Sequence, residues 1–151
     1  AMLFEAASHS AAILASTTPE LQSAMKQFGL HLGLAFQLVD DMLDYVGDAE
    51  TMGKNVGDDL AEGKPTLPLI YAMKHSSESD TLLIRKAIRS GDISQLNEIC
   101  EAVKRCGALE YTQKAADNAY NEALKCLEIL PESPHKTALL GLAQLAINRN
   151  K

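Results

Sequence analysis

Apolar residues recur at three- and four-residue intervals along almost the whole chain, and no stretch alternates with the period of two that a half-buried strand shows. The pattern predicts an all-α protein. A first helix, or the end of one, from Met2 to about Leu14 gathers Leu3, Phe4, Ala7, Ala11 and Leu14 on one side. Thr17, Thr18 and Pro19 then restart the chain: the Thr18 hydroxyl suits a cap, and Pro19 suits a first helical position where no N–H is needed. A long helix follows to about Tyr45. Residues 47–65, rich in glycine and charge, are expected to form a loop, and shorter helices are predicted over 67–75, 80–89, 94–106, 108–130 and 134–148. Gly91, Gly107 and Pro131 punctuate them, with Gly107 as a left-handed helix stop. No repeat, low-complexity tract or linker divides the pattern, so residues 1–151 are expected to form a single helical domain.

Composition narrows the class. A chain of 151 residues with 46% apolar side chains is no disordered segment, and at this length it can bury roughly 70% of its unfolded surface. No uninterrupted apolar run reaches the length of about 18 residues that a membrane span needs. No charged-then-apolar leader opens the sequence, so a soluble, unexported protein is expected. A net charge of −6 and a pI near 5.1 argue against a nucleic-acid partner, whose phosphates need a basic face. Cys100, Cys106 and Cys126 make an odd count without a CxxC pair, which fits buried thiols in a reducing compartment and no zinc site.

The long helix changes character midway. Its first half is ordinary, with Leu21, Met25, Phe28 and Leu32 on one stripe and Gln22, Ser23, Lys26 and Gln27 opposite. From Phe28 onward, Leu30, Leu34, Phe36, Leu38, Val39, Met42 and Leu43 place apolar side chains almost all round, as in a helix meant for burial. Yet Gly33, Gln37, Asp40, Asp41 and Asp44 fall within an arc of about 100°, at about 100° per residue. Three carboxylates one turn apart repel one another, by about 0.2–0.5 kcal/mol per exposed pair and by far more where water is scarce. A cation would relieve them. Hard carboxylate oxygens suit Mg²⁺, which keeps several waters and takes one or two carboxylates plus substrate phosphate. The stripe offers no His or Cys for a softer metal. A solvated acidic face is the competing interpretation of Asp-Asp-x-x-Asp, and the apolar surroundings favour a metal-lined cavity over it. Gly29 and Gly33 form a small-residue pair suited to close helix packing.

The segment after this helix adds to the case. Gly53-Lys54 and Gly63-Lys64 bracket Gly57-Asp58-Asp59, so flexible backbone and two ammonium groups follow the acid stripe, as a diphosphate ligand requires. It is no P-loop, because Pro65 stands where Ser or Thr is needed, and no EF-hand, whose alternating acids are missing.

The run Phe36-Gln37-Leu38-Val39-Asp40-Asp41-Met42-Leu43-Asp44-Tyr45, followed by Gly53-Lys54-Asn55-Val56-Gly57-Asp58-Asp59-Leu60 and Glu62-Gly63-Lys64-Pro65-Thr66-Leu67-Pro68, resembles the second aspartate-rich region of the trans-isoprenyl (polyprenyl) diphosphate synthases. The likeness covers essentially the whole chain and is greatest to bacterial long-chain members that form octaprenyl diphosphate. It implies an all-α bundle around a deep cavity, with two DDxxD motifs facing each other across its mouth. It assigns Asp40, Asp41 and Asp44 to Mg²⁺, and Phe36, Gln37, Lys54 and Lys64 to substrate. Asp40, Asp41 and Lys54 would be the catalytic set, and Asp58 a structural or supporting acid. The implied reaction is head-to-tail prenyl transfer from an allylic diphosphate to isopentenyl diphosphate, giving octaprenyl diphosphate for a quinone side chain. The implied setting is a cytoplasmic homodimer.

Members of that family are about twice as long. The resemblance places the first DDxxD, the basic residues that hold isopentenyl diphosphate and the residues that set product length before Ala1. The chain therefore matches a C-terminal half and is expected not to turn over alone. A bundle so cut is expected to expose Leu30, Leu34 and Leu38 and to self-associate. Two other readings stay open: a fragment of a class I terpene cyclase, whose usual second motif mixes Asn, Ser or Thr with acids, and a non-catalytic helical subunit.

Overall fold

A computed structural model describes residues 1–46 and 57–148. Among them stand eight helices and no strand: α1 (Met2–Leu14), α2 (Pro19–Val46), α3 (Asp58–Ala61), α4 (Leu67–His75), α5 (Glu78–Ser90), α6 (Leu96–Arg105), α7 (Ala108–Cys126) and α8 (Pro134–Ile147). The all-α expectation is met. The helices group into two compact units, Ala1–Val39 with Ala115–Lys151 and Asp40–Lys114, so α2 and α7 each run from one unit into the other.

In the first unit, α1 and α2 meet through glycine. A Cβ on Gly29 would lie 2.3 Å from the Phe4 carbonyl oxygen and 2.7 Å from the Glu5 Cα, and one on Gly33 would lie 2.5 Å from the Ala1 Cα. Only backbone and small side chains fit such a groove. The packed side of α1 is accordingly Phe4, Ser8 and Ala12, and the Ser8 hydroxyl turns back onto the Phe4 carbonyl at 2.9 Å. Of the apolar residues that the sequence gathers on one side of α1, Phe4 packs, while Leu3 and Leu14 are each 84% exposed and Ala7 and Ala11 are exposed with them. Phe28 and Leu32 of α2 form a core with Ala123, Leu127, Ala143 and Ala146, and Phe4 packs at a tilt against Phe36 with ring centroids 5.4 Å apart.

The turns in this unit follow their local chemistry. At the end of α1, Ser16 adopts the left-handed conformation (φ 52°), letting Ser16 N–H reach the Ile13 carbonyl and Thr17 N–H reach that of Ala12. Thr18 caps α2 as expected, accepting from Leu21 N–H at 3.3 Å. Helix α7 stops at Cys126, short of the predicted 130. Ahead of Pro131 the chain tightens into i→i−3 bonds, Leu127 to Leu124 at 3.0 Å and Glu128 to Lys125 at 3.1 Å. The largely buried Lys136 ammonium then donates to the free Leu130 carbonyl at 3.0 Å.

The second unit is built round Tyr45, Leu60, Leu69, Ile84, Ile99 and Val103. Ser77 caps α5 by accepting from Asp80 N–H at 3.2 Å, which starts that helix at Glu78 rather than residue 80. In α6, Ile99, Cys100, Ala102 and Val103 point inward while Glu98, Glu101, Lys104 and Arg105 stay outside. That helix begins at Leu96 and not at residue 94, because Ser94 N–H is taken by the Asp92 carboxylate at 2.9 Å. Gly107 (φ 77°) is the left-handed stop expected of it. All three thiols are free, but only Cys100 is buried; Cys106 and Cys126 are half-buried.

Candidate functional site

The second half of α2 is a helix mostly out of water, as its all-round apolar pattern requires. Leu38, Val39, Met42, Leu43 and Tyr45 are buried, and Asp41 among them is only 9% exposed. The helix nevertheless has an open side: Gln37 is exposed, Leu34 is 43% exposed, and Leu30, Asp40 and Asp44 are half-buried. Of the three leucines expected to meet water, Leu38 is therefore a correction, since it turns into the interior. Phe36 is half-buried and packs on Phe4.

Asp44 holds the clearest geometry. One carboxylate oxygen accepts from Asp58 N–H at 3.1 Å, the other from Asp59 N–H at 3.2 Å, and its main-chain carbonyl accepts from Gly57 N–H at 3.1 Å. Helix α3, which lies inside the stretch expected to be a loop, starts at this contact. Gly57 enters it left-handed (φ 87°), and a Cβ there would strike the Leu96 side chain at 2.7 Å. Burial pushes the Asp44 carboxyl above the ordinary carboxylate range and the charge of Asp59 adds to that, while the N–H groups of Asp59, Asp58 and Gly57 pull it back. An acid already short of water gains most from a cation brought close.

Lys64 stands at the other end of this element. Its N–H donates to the Asp59 carbonyl at 2.8 Å, and its ammonium lies 3.8 Å from the Asp59 carboxylate and pairs more closely with Glu62. The Glu62 carboxylate, first by hydrogen bond and then by charge, pushes the Lys64 ammonium above its ordinary range. Asp59 and Glu62 fall within the runs quoted from the sequence but have no role assigned there, and the local signal for one is their closeness to Lys64 in Asp59-Leu60-Ala61-Glu62-Gly63-Lys64. Asp58, matched by resemblance to a loop acid, lends its N–H to Asp44 while its own side of the chain is exposed. Lys54 and Gly53 lie outside the described residues.

Asp40, Asp41 and Asp44 offer hard oxygen atoms only, the donor set that suits a magnesium-like ion. Among the described residues no three acidic, His or Cys side chains converge into a ready-made cage. That is compatible with an ion held by one or two carboxylates, waters and a phosphate.

A polyprenyl synthetase family model matches residues 1–105. The chain belongs to the polyprenyl synthetase family. Among curated members of that family, it is 47% identical over 152 residues to octaprenyl diphosphate synthase of Escherichia coli (strain K12), covering 100% of this chain and 47% of the relative. It is 50% identical over 147 residues to the all-trans-nonaprenyl-diphosphate synthase (geranyl-diphosphate specific) of Rhodobacter capsulatus, covering 97% of this chain and 45% of that one. The chain thus spans about half the length of the curated relatives it matches, aligning with their C-terminal part. Among solved polyprenyl synthetase folds, the polyprenyl synthase from Caulobacter crescentus CB15 complexed with calcium and isoprenyl diphosphate superimposes with a TM-score of 0.89. It is 38% identical, covering 99% of this chain and 46% of that one. Heptaprenyl diphosphate synthase from Staphylococcus aureus gives a TM-score of 0.88 at 26% identity, covering 99% of this chain and 46% of the other. Polyprenyl synthetases are enzymes, and among the described residues no helix is long and apolar enough to cross a membrane.

Proposed function

We propose that this chain carries one metal-binding wall of a Mg²⁺-dependent trans-polyprenyl diphosphate synthase, which elongates an allylic diphosphate with isopentenyl diphosphate to octaprenyl diphosphate in the cytoplasm. The observation that carries this is the Asp40-Asp41-x-x-Asp44 set on the partly open second half of α2, with Asp44 bonded to the start of α3, beyond whose end Lys64 stands. The octaprenyl length is supported by the 47% identity to the E. coli octaprenyl enzyme. The C. crescentus structure, complexed with calcium and isoprenyl diphosphate, supports a divalent ion and a diphosphate ligand.

In this proposal Asp40 and Asp41, with Asp44 as third acid, hold the ion. When bound, Mg²⁺ supplies positive charge where the diphosphate leaves. Lys64 and Lys54 neutralise further phosphate oxygens, so that charge developing on the leaving group meets fixed cations. Phe36 and Gln37 form part of the wall facing the prenyl chain, and a dry apolar lining protects the allylic cation from water.

The 151 residues by themselves are proposed not to turn over. Incubated with labelled isopentenyl and farnesyl diphosphates, the chain alone is expected to give no prenyl product. Adding the N-terminal half of the E. coli relative is expected to restore elongation. Steady turnover by the chain alone would refute the inactivity, and inert associated halves would remove support for the enzyme reading. Self-association is expected as well, to cover Leu34, which is 43% exposed, and the half-buried Leu30 on the open side of α2. Sedimentation that finds only monomer at high concentration would count against it.

A further inference from the structure

We propose that Asp44 is a positioning residue: its carboxylate fixes α3, and α3, through Asp59, sets where the Lys64 ammonium stands. This rests on the diphosphate assignment above and concerns how that site is held together.

Helix α3 has four residues, far too few to sustain itself, and its N-cap, Gly57, has no side chain with which to satisfy the free N–H groups. Asp44 supplies the missing cap from 14 residues upstream, one oxygen to each of two successive N–H groups, at 3.1 and 3.2 Å. Its main-chain carbonyl takes the preceding N–H, of Gly57, at 3.1 Å, so the acid binds the entry of the element by three bonds in a row. A side chain that serves only as a metal ligand has no reason to be shaped into such a cap. Each carboxylate oxygen keeps a further lone pair, so capping and a nearby cation are compatible.

The far end is equally tied. Gly63 turns left-handed (φ 70°) with its Cβ position 2.9 Å from the Ile88 carbonyl oxygen, a place where no side chain fits. Lys64 then bonds back to the Asp59 carbonyl at 2.8 Å, and its ammonium faces Asp59 and Glu62. With Lys64 59% exposed, these ion pairs are surface pairs of small worth, easily exchanged for a diphosphate oxygen. Asp44 thus determines the origin from which Lys64 reaches.

The test is made on metal-free chain in excess chelator, where a pure metal ligand does nothing. Asp44→Ala is expected to speed amide hydrogen exchange at Asp58 and Asp59 by at least about tenfold while leaving the Ile99 amide unchanged. Asp44→Asn, which keeps one acceptor, is expected to fall between, and Asp40→Ala to change neither amide. The Lys64 side-chain NMR resonances, read under the same conditions, are expected to move in Asp44→Ala as the pairing of its ammonium with Asp59 is lost. Unchanged exchange or unmoved Lys64 resonances in Asp44→Ala would overturn the inference. Wild-type chain that ignores pyrophosphate even with Mg²⁺ would instead overturn the diphosphate assignment and the part given to Lys64, while the exchange rates still decide the anchoring.

Discussion

Titrated with magnesium pyrophosphate, Asp40→Ala is expected to bind at least about a hundredfold more weakly than the wild-type chain. Loss of an outer partner of a metal ligand already costs about ten- to hundredfold in affinity, so loss of a ligand belongs at or beyond the upper end. Asp40 is the acid to test, because it is half-buried on the open side of α2, whereas Asp41 is 9% exposed and its removal would also disturb packing. Calorimetry giving the same heat for both chains would show that Asp40 holds no ion, and the metal assignment would fall with it.

The second large effect is structural and has a built-in control. Gly29→Ala is expected to destabilise the chain by about 2 kcal/mol, the middle of the usual overpacking range. Its new methyl would sit 2.3 Å from the Phe4 carbonyl oxygen and 2.7 Å from the Glu5 Cα, and these are backbone atoms that no rotamer change can move aside. Helix α1 must back away from α2 as a whole, loosening the contact of Phe4 with Phe36. Gly141 in α8 is the contrast, with nothing within 4 Å of its Cβ position. Gly141→Ala is expected to stabilise by up to about 1 kcal/mol, the difference in helix propensity alone. Urea unfolding midpoints read both, and equal shifts of the same sign would mean that the glycine groove does not hold α1.

Much of the candidate site was legible because it is local. The acids of α2 recur every third or fourth residue, so the helical period alone lines them up. The apolar neighbours Leu38, Val39, Met42 and Leu43 announce burial wherever the helix is placed. Caps at Thr18 and the stop at Gly107 act within four residues of themselves and were equally readable. Helix α3 was not, since four residues give no period to detect, and its cap comes from Asp44 at a separation of 14 residues.

What the sequence determined by itself, then, was the helical class, the order of the main helices, the acid stripe and the likeness to its family. Each depends on spacing along one segment, where chain connectivity has already fixed the geometry. Tertiary structure alone decided that the slender side of α1, and not its leucines, meets α2. It also decided that Asp44 closes α3, and that Lys64 waits between Asp59 and Glu62. Those choices are made by groups distant in the chain that compete for the same backbone bonds and the same narrow space, and only the folded packing settles which of them win.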